Sequence, residues 1–498
     1  MNKFFFLLCI SAIFSTSVLH AQETFDEYRK RINKEFKEHK QRVEQDFDAY
    51  RKKVNADFAE YMRKTWVKVA PKPKVPQPKE DQPIPPVIFE KEKDDKPIQN
   101  NQKPIEEVIP IPKPEPQPEP IAPIEEKEKE QEKNLHSLTY MGNNIKVRIP
   151  QNYRFILRNN SENTVANAWK DLSEGSFDNT LIDLLNLRKT YRLCDWAYLN
   201  LLKTFSYGLL GERSNEATLL TAYLYTQSGY MMRLAQSGNR LCMLFGSKFL
   251  LFDKPYYSLD GYYYYNMDKD ESNLNICKIK FPKEQAFSLY ITQEQVVPQT
   301  DNYVRTLQAK AYPSMRFTIH TNKHLIDFYN TYPTGKIGSN VCTRWAVYAN
   351  TPLNSQTRDR LYPALKNVLS GKSQADALNM LLNFVQTSLV YEYDDKVWGR
   401  DRAFFSEETL YYPYADCEDR AILFTRLVRD LLHLKTALVY YPGHLACAVK
   451  VTDPNIKGDF LIINGARYLI CDPTYINAPI GWTMPDMDNN KAKVIQLD

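Results

Sequence analysis

Residues 71–134 form a segment that cannot build a hydrophobic core of its own. Proline recurs at every second or third position in residues 71–78 and again in residues 110–120, and a charged run follows at residues 125–133. Such a composition is typical of an extended polyproline-type chain. We therefore expect residues 71–134 to be a Pro/Glu/Lys-rich linker, with folded structure on either side of it.

Residues 22–70, before the linker, repeat with a period of eleven. The repeat is carried by Phe25, Phe36, Phe47 and Phe58, and most of the residues between them are charged. Eleven residues in three helical turns keep one apolar stripe on one face of a helix. The pattern favours a coiled coil that makes the protein a homo-oligomer through residues 23–66. The alternative is one charged helix that lies against another part of the same chain.

The amino terminus is typical of an export signal. A basic start, an apolar run over residues 4–13 and a small-residue end at Ala21 predict a signal peptide at residues 1–21. No later stretch has the length of apolar sequence that a membrane span requires. We expect an exported protein, periplasmic or secreted. A net charge of only +5 over 498 residues, without a basic and aromatic block, argues against nucleic acid as a partner.

Three blocks near the carboxyl end carry residues suited to nucleophilic catalysis. Cys417 follows a candidate N-cap, Asp416, and opens an apolar-periodic stretch that predicts a helix. A thiol in the first turn of a helix is favoured as the thiolate by the helix dipole. His444 opens a predicted strand and Asp472 ends another. In this order they supply a nucleophile, a base and a group that orients the base.

The same blocks resemble the transglutaminase-like superfamily of papain-type cysteine enzymes. The resemblance covers about residues 373–485 and rests on Cys-x-Asp-x-Ala from Cys417, on His444 at the start of a strand and on Asp-Pro-Thr-Tyr from Asp472. It implies an α+β, papain-like domain over residues 331–498 with Cys417, His444 and Asp472 as its triad. Ala415-Asp416 stands where the family often has a glycine before the cysteine.

Other site residues are expected around this triad. Trp398 is the nearest candidate for the family's polar helper in the oxyanion site, and Trp398, Tyr414 and Asp419 are candidates for substrate binding. Seven cysteines follow the predicted signal peptide, so at least one is a free thiol, for which we choose Cys417. Cys447 and Cys471 point away from His444 and Asp472 by strand alternation and are expected in the core.

Residues 135–330 predict a separate α+β domain that echoes the catalytic region. Ala217 to Ala222 resemble Ala421 to Arg426, and Asn239 to Cys242 resemble Gly443 to Ala446, at one constant spacing. In that register Arg213 stands in the place of Cys417, and Arg240 stands in the place of His444. Residues 135–330 are thus a candidate degenerate transglutaminase-like repeat without nucleophile or base.

The resemblance implies an acyl-transfer enzyme that acts on peptide or carboxamide bonds through a thioester on Cys417. Hydrolysis is favoured over protein cross-linking because water is the default acceptor, and the expected partner is a peptide or protein substrate, with cell-wall peptide as one candidate. The alternative is a catalytically inactive binding or scaffold protein on a coiled-coil stalk. No cofactor is expected, since glycine-rich phosphate cradles are absent. No metal site is expected either, because Cys417, His444 and Asp472 include no closely spaced ligand pair.

Overall fold

The structure is a computed structural model that describes residues 25–64, 66–79, 84–91, 98–102, 107–126, 134–268, 273–300 and 303–497. The predicted signal peptide, residues 1–21, lies outside these residues. The helices are α1 Phe25–Met62, α2 Glu162–Leu172, α3 Asp178–Thr190, α4 Asp195–Leu210, α5 Asn215–Gln227, α6 Lys323–Asn330, α7 Thr343–Asn350, α8 Ser355–Leu369, α9 Gln374–Ser388, α10 Asp394–Val397, α11 Ser406–Tyr411 and α12 Cys417–Leu432.

Two larger sheets and several short ribbons complete the mixed α+β fold, and the sheets curl as half-barrels. The strands are β1 Trp66–Val69, β2 Val87–Ile88, β3 Asn100–Gln102, β4 Val108–Ile109, β5 Leu135–Tyr140, β6 Asn143–Arg148, β7 Met232–Ser237, β8 Arg240–Ser247, β9 Phe249–Leu251, β10 Tyr257–Leu259, β11 Tyr262–Asn266, β12 Leu274–Cys277, β13 Tyr303–Gln308, β14 Arg316–Thr321, β15 Gly335–Ile337, β16 Thr436–Tyr441, β17 His444–Lys450, β18 Phe460–Ile463, β19 Ala466–Cys471, β20 Tyr475–Ile476 and β21 Lys493–Gln496.

The amino-terminal helix α1 divides into an exposed half and a buried half. Phe36 is 70% exposed, whereas Phe58 is 5% exposed and its ring lies 5.0 Å from that of Trp169. Near the same end, Arg51 forms a buried ion pair of 2.7 Å with Asp178. The end of α1 therefore packs against the rest of the chain, which is the alternative weighed for this segment. Self-association stays a prediction for the exposed half.

The proline-rich segment is a strap along the folded body, so the expectation of a free spacer is wrong for its described parts. Strands β2, β3 and β4 pair in parallel with β20, β18 and β21. Farther along, the Gln117 amide donates to the Leu193 carbonyl at 2.7 Å. Proline removes backbone donors, but the non-proline residues between the prolines keep theirs and use them at sheet edges.

The two larger sheets repeat one arrangement. The first has the order β1-β12-β7-β8-β11-β10 and the second the order β3-β18-β19-β17-β16-β21-β4. In each, a helix (α5 or α12) precedes a hairpin, and a second hairpin follows. The registers agree, because Met232 pairs with Phe245 as Thr436 pairs with Val449. The topology of residues 215–266 thus matches that of residues 417–471, as expected for an internal repeat.

The second sheet has two buried faces, and this arrangement places the candidate site. Leu445 and Cys447 of β17 belong to the core that includes α12, while Ala446 and Ala448 belong to a smaller core on the opposite face. This alternation is the one expected of a strand. Cys447 and Cys471 are fully buried and lie opposite each other in register, so their prediction as core residues is confirmed.

All seven cysteines among the described residues are buried and free of disulfide bonds. The prediction of a free thiol at Cys417 agrees with this, although the other six cysteines are free as well. Within the described part of the chain, no helix combines the length and the apolar character needed to cross a bilayer.

Candidate active site

Cys417 is held in place by the start of α12. Asp416 precedes the helix in extended backbone, and its N–H donates to the Asp419 carboxylate at 3.3 Å. The guanidinium of the buried Arg420 donates to the carbonyls of Ala415, Gln386 and Leu389. These bonds tie the first turn of α12 to the end of α9, so the Cys417 backbone is fixed from two sides.

His444 and Asp472 form the pair that the sequence predicts. His444 Nε2 lies 2.8 Å from Asp472 Oδ2, and both side chains are almost fully buried. Asp472 Oδ1 accepts from the N–H groups of Thr474 and Tyr475 at 2.8 and 3.2 Å. Because these amides fix the carboxylate, it can in turn fix the imidazole ring. Nδ1 is left as the ring nitrogen without a hydrogen bond to any described residue.

Cys417 and His444 face one narrow cleft between α12 and the start of β17. The cleft is lined by Lys79, Trp345, Tyr391, Tyr393, Asp394, Asp395, Asp401, Asp416, Cys417, Glu418, Tyr440, Gly443, His444 and Leu445. Cys417 is 7% exposed. The Leu445 backbone N–H faces its sulfur. The sulfur therefore lies against the first residues of β17, in the cleft that His444 also lines.

The surroundings of the sulfur differ from those expected. Burial raises the pKa of the Cys417 thiol well above its ordinary value, and the charges of Glu418 and Asp416 raise it further. The sulfur donates to Glu418 Oε2 at 3.1 Å. The expectation that the helix start alone favours the thiolate is therefore wrong for the free protein. Two carboxylates beside the sulfur outweigh the partial charge of a helix dipole.

Trp345 is a site residue that the sequence analysis missed. It lies on α7, is 2% exposed and packs against Tyr440 with ring centroids 5.3 Å apart. Its Nε1–H is buried and has no hydrogen-bond partner among the described residues. A buried indole N–H usually finds a partner. No local sequence signal marks Trp345, since it comes from a helix that precedes Cys417 by about seventy residues.

The three residues predicted to bind substrate lie away from the cleft surface or are buried. Trp398 packs against Phe404 and Tyr412 and carries the Arg402 guanidinium 4.5 Å from its ring. Tyr414 is 40% exposed and bridges to Val390. Asp419 is fully buried, and its Oδ1 accepts from the Phe404 N–H at 2.8 Å. Trp398 and Tyr414 are not among the lining residues, and Asp419 has a structural role.

The cleft also contains acidic residues that no sequence motif predicted. Burial raises the pKa of Asp394 to about 8, and the charge of Glu418 adds to the shift. Burial likewise raises the pKa values of Asp416 and Asp419 well above the ordinary range, helped by neighbouring carboxylates. Asp394 is far from α12 in sequence, so only the tertiary fold brings it to this cluster.

Comparisons with known proteins add no family or relative to this description. Neither the families of known proteins nor the curated proteins contain a match to this chain. The argument about function therefore rests on the geometry of the cleft.

Proposed function

We propose that this chain is an exported, cysteine-dependent acyl-transfer enzyme of transglutaminase-like type that hydrolyses peptide or carboxamide bonds. The observation that carries the proposal is the placement of His444. Its Nε2 is paired with Asp472 at 2.8 Å, its Nδ1 has no described partner, and it shares a cleft with Cys417. A base oriented by a carboxylate beside a thiol is the arrangement that activates a cysteine nucleophile.

The first step forms a thioester. As the Cys417 sulfur attacks the carbonyl carbon, His444 Nδ1 takes the thiol proton and Asp472 stabilises the imidazolium at Nε2. The resulting oxyanion is to be stabilised by the Cys417 backbone N–H at the helix start and by the Trp345 Nε1–H. The tetrahedral intermediate then expels the amine, which receives its proton from His444, and leaves the acyl group on the sulfur.

The second step releases the acyl group to water. His444 takes a proton from the attacking water, the C–S bond breaks, and the proton returns to the sulfur. Because the resting thiol is kept protonated by its carboxylate neighbours, we expect the nucleophile to be generated only as substrate is attacked. An amine in place of water gives a transamidation product, so the acceptor decides between peptidase and cross-linking activity.

The test is turnover of a peptide library that includes amidated peptides and cell-wall stem peptides. Mass spectrometry reads new termini and, after acid quenching, an acyl adduct on Cys417. We expect Cys417→Ala to abolish both, whereas Cys447→Ala, which removes a buried thiol of β17 elsewhere in the core, retains them. Circular dichroism checks that both variants fold. Unchanged cleavage in Cys417→Ala would end the assignment.

A second function is favoured by one observation. Burial and the neighbouring carboxylates oppose the ionisation of Cys417, which is only 7% exposed, as suits a cleft that binds a peptide without cleaving it. This alternative is a catalytically inactive binding or scaffold protein. It predicts saturable peptide binding, measured by calorimetry, with neither product nor acyl adduct in the same library.

A further inference from the structure

Three carboxylates, two of which line the cleft, meet where α10 and the chain before α11 pass the start of α12. One oxygen each from Asp394, Asp416 and Asp419 lies within 4.8 Å of the others. Calcium binds oxygen ligands at about 2.3–2.6 Å, so ligands on opposite sides of one ion are separated by about 5 Å. The three oxygens therefore have the spacing of a coordination shell around a single ion.

Asp416 gives a second, independent indication. Its side chain is 8% exposed, and its Oδ1 is buried without a hydrogen-bond partner among the described residues. A buried carboxylate oxygen without a donor costs several kcal/mol in a protein interior unless a cation or a proton compensates for it. Asp416 also has a carboxylate oxygen within 4.8 Å of the Cys417 sulfur and of a Glu418 carboxylate oxygen.

The neighbouring cations are engaged with other partners. Arg402 pairs with Glu408, Lys79 lies 2.6 Å from Asp395, and Arg420 donates to three carbonyls. Arg344 is 3.8 Å from Asp401. In the part of the chain that the structure describes, no lysine or arginine forms an ion pair with Asp394, Asp416 or Asp419. Glu418 and Asp401 add further negative charge beside them.

Two of the three carboxylates, those of Asp394 and Asp419, are also held in position by backbone donors. Asp419 accepts from the N–H groups of Phe404 and Asp416, and Asp394 Oδ2 accepts from the Arg402 N–H at 2.5 Å. Each carboxylate oxygen has two lone pairs, so these bonds leave acceptor sites on every carboxylate. Donors from two chain segments thus preorganise the group, as the supporting shell of a metal site does.

We propose that Asp394, Asp416 and Asp419 bind a divalent cation that prefers oxygen ligands, with calcium as the ion of best fit. Oxygen-only ligands favour calcium or magnesium over zinc, and flexible carboxylate geometry favours calcium over magnesium. The ion joins the start of α10, at Asp394, to the first turn of α12. This proposal does not depend on the enzymatic assignment, because the sulfur of Cys417 is not a ligand in it.

The experiment is thermal unfolding of the full chain after chelation, with and without added calcium chloride. At about 10 mM calcium, which is at least about ten times the dissociation constants of sites of the extracellular class, we expect a rise in Tm of a few degrees and a smaller rise with magnesium. Asp394→Asn should abolish the calcium-dependent rise. The same variant should unfold at a higher temperature than the parent without calcium, since an amide costs less to bury beside two carboxyl groups than a third carboxyl group does.

Two controls separate this proposal from other effects. Asp395→Asn removes the adjacent carboxylate, which is 49% exposed and pairs with Lys79, and should keep the full calcium response. Cys417→Ala should also keep it, whatever the fate of the proposed enzymatic activity. The proposal is overturned by a chelated parent protein whose Tm does not respond to calcium, or by an equal response in Asp394→Asn.

Discussion

At the scale of single residues, Trp345 is the side chain whose role is easiest to isolate. It packs as a core residue on α7, yet its Nε1–H points to no described acceptor and it lines the cleft with Cys417. Phenylalanine keeps most of the buried ring and removes only this donor. If the N–H stabilises the oxyanion, we expect Trp345→Phe to lower kcat by about 10²–10³-fold with little change in KM.

Trp398 is the matched control for that experiment. It is also packed among aromatic rings, against Phe404 and Tyr412, but it does not line the cleft. Trp398→Phe should therefore leave kcat within about twofold of the parent, as most substitutions away from a site do. Steady-state rates on the best library peptide measure both variants. Equal losses in the two variants would assign Trp345 a packing role alone.

Glu407 allows a prediction about pH. It is 1% exposed, and burial raises its pKa to about 8, with Glu294 and Glu408 adding to the shift. Between pH about 4.5 and 8 the unfolded chain is ionised at this residue while the folded chain is not, so this group makes stability fall as pH rises. A shift of this size corresponds to about 3–5 kcal/mol at high pH.

Glu407→Gln tests this directly, because the amide oxygen can still accept from the Asn354 N–H. The free energy of unfolding in urea, measured near pH 5 and near pH 8.5, should fall less steeply with pH in this variant than in the parent. Glu212→Gln, whose side chain is 79% exposed, is the control and should follow the parent. Parallel pH profiles for parent and Glu407→Gln would contradict the prediction.

At the scale of elements, local signals predicted well the helix and strands that carry the candidate site. The helix begins at Cys417, β17 begins at His444 and Asp472 follows β19 directly, each as the pattern predicted. Helix starts and strand alternation depend on near neighbours in sequence, so the sequence alone can predict them. Asp394 and Trp345 were missed because their position depends on long-range packing. The same limit applies to the thiol, whose raised pKa comes from side chains beside it rather than from its helix.

The repeat of elements places different side chains at corresponding positions of one arrangement. The helix and hairpin of α5, β7 and β8 have the topology of α12, β16 and β17, but Arg213 and Arg240 occupy the places of Cys417 and His444. Asp268, at the position that corresponds to Asp472, pairs with Lys203 at 2.7 Å. Asp268 is therefore the counterpart of Asp472, but its partner is the ammonium group of Lys203 rather than an imidazole.

At the scale of the whole molecule, the strap was the feature least accessible to sequence reasoning. Composition predicts that residues 71–134 cannot form a core, and their described parts form none of their own. Composition says nothing about whether such a chain adds strands to sheets made elsewhere, because edge pairing uses backbone groups that every non-proline residue has. In this protein β3 and β4 pair at the two edges of the sheet that contains β17.

The strap therefore predicts a stability effect that a free spacer would not show. Val108 and Ile109 are each 7% exposed and pair with β21. Replacing both with aspartate should lower the free energy of unfolding by about 3–6 kcal/mol, since each buried aliphatic side chain contributes about 1.5–3 kcal/mol.

The control is Ile98→Asp, at a position of the same segment that is 52% exposed, which should cost less than about 1 kcal/mol. Urea unfolding measures all three proteins, and hydrogen exchange should show the β21 amide that faces β4 losing protection in the double variant only. Equal stability of parent and double variant would mean that residues 108 and 109 do not pack on the sheet in solution, and that the segment is a spacer after all.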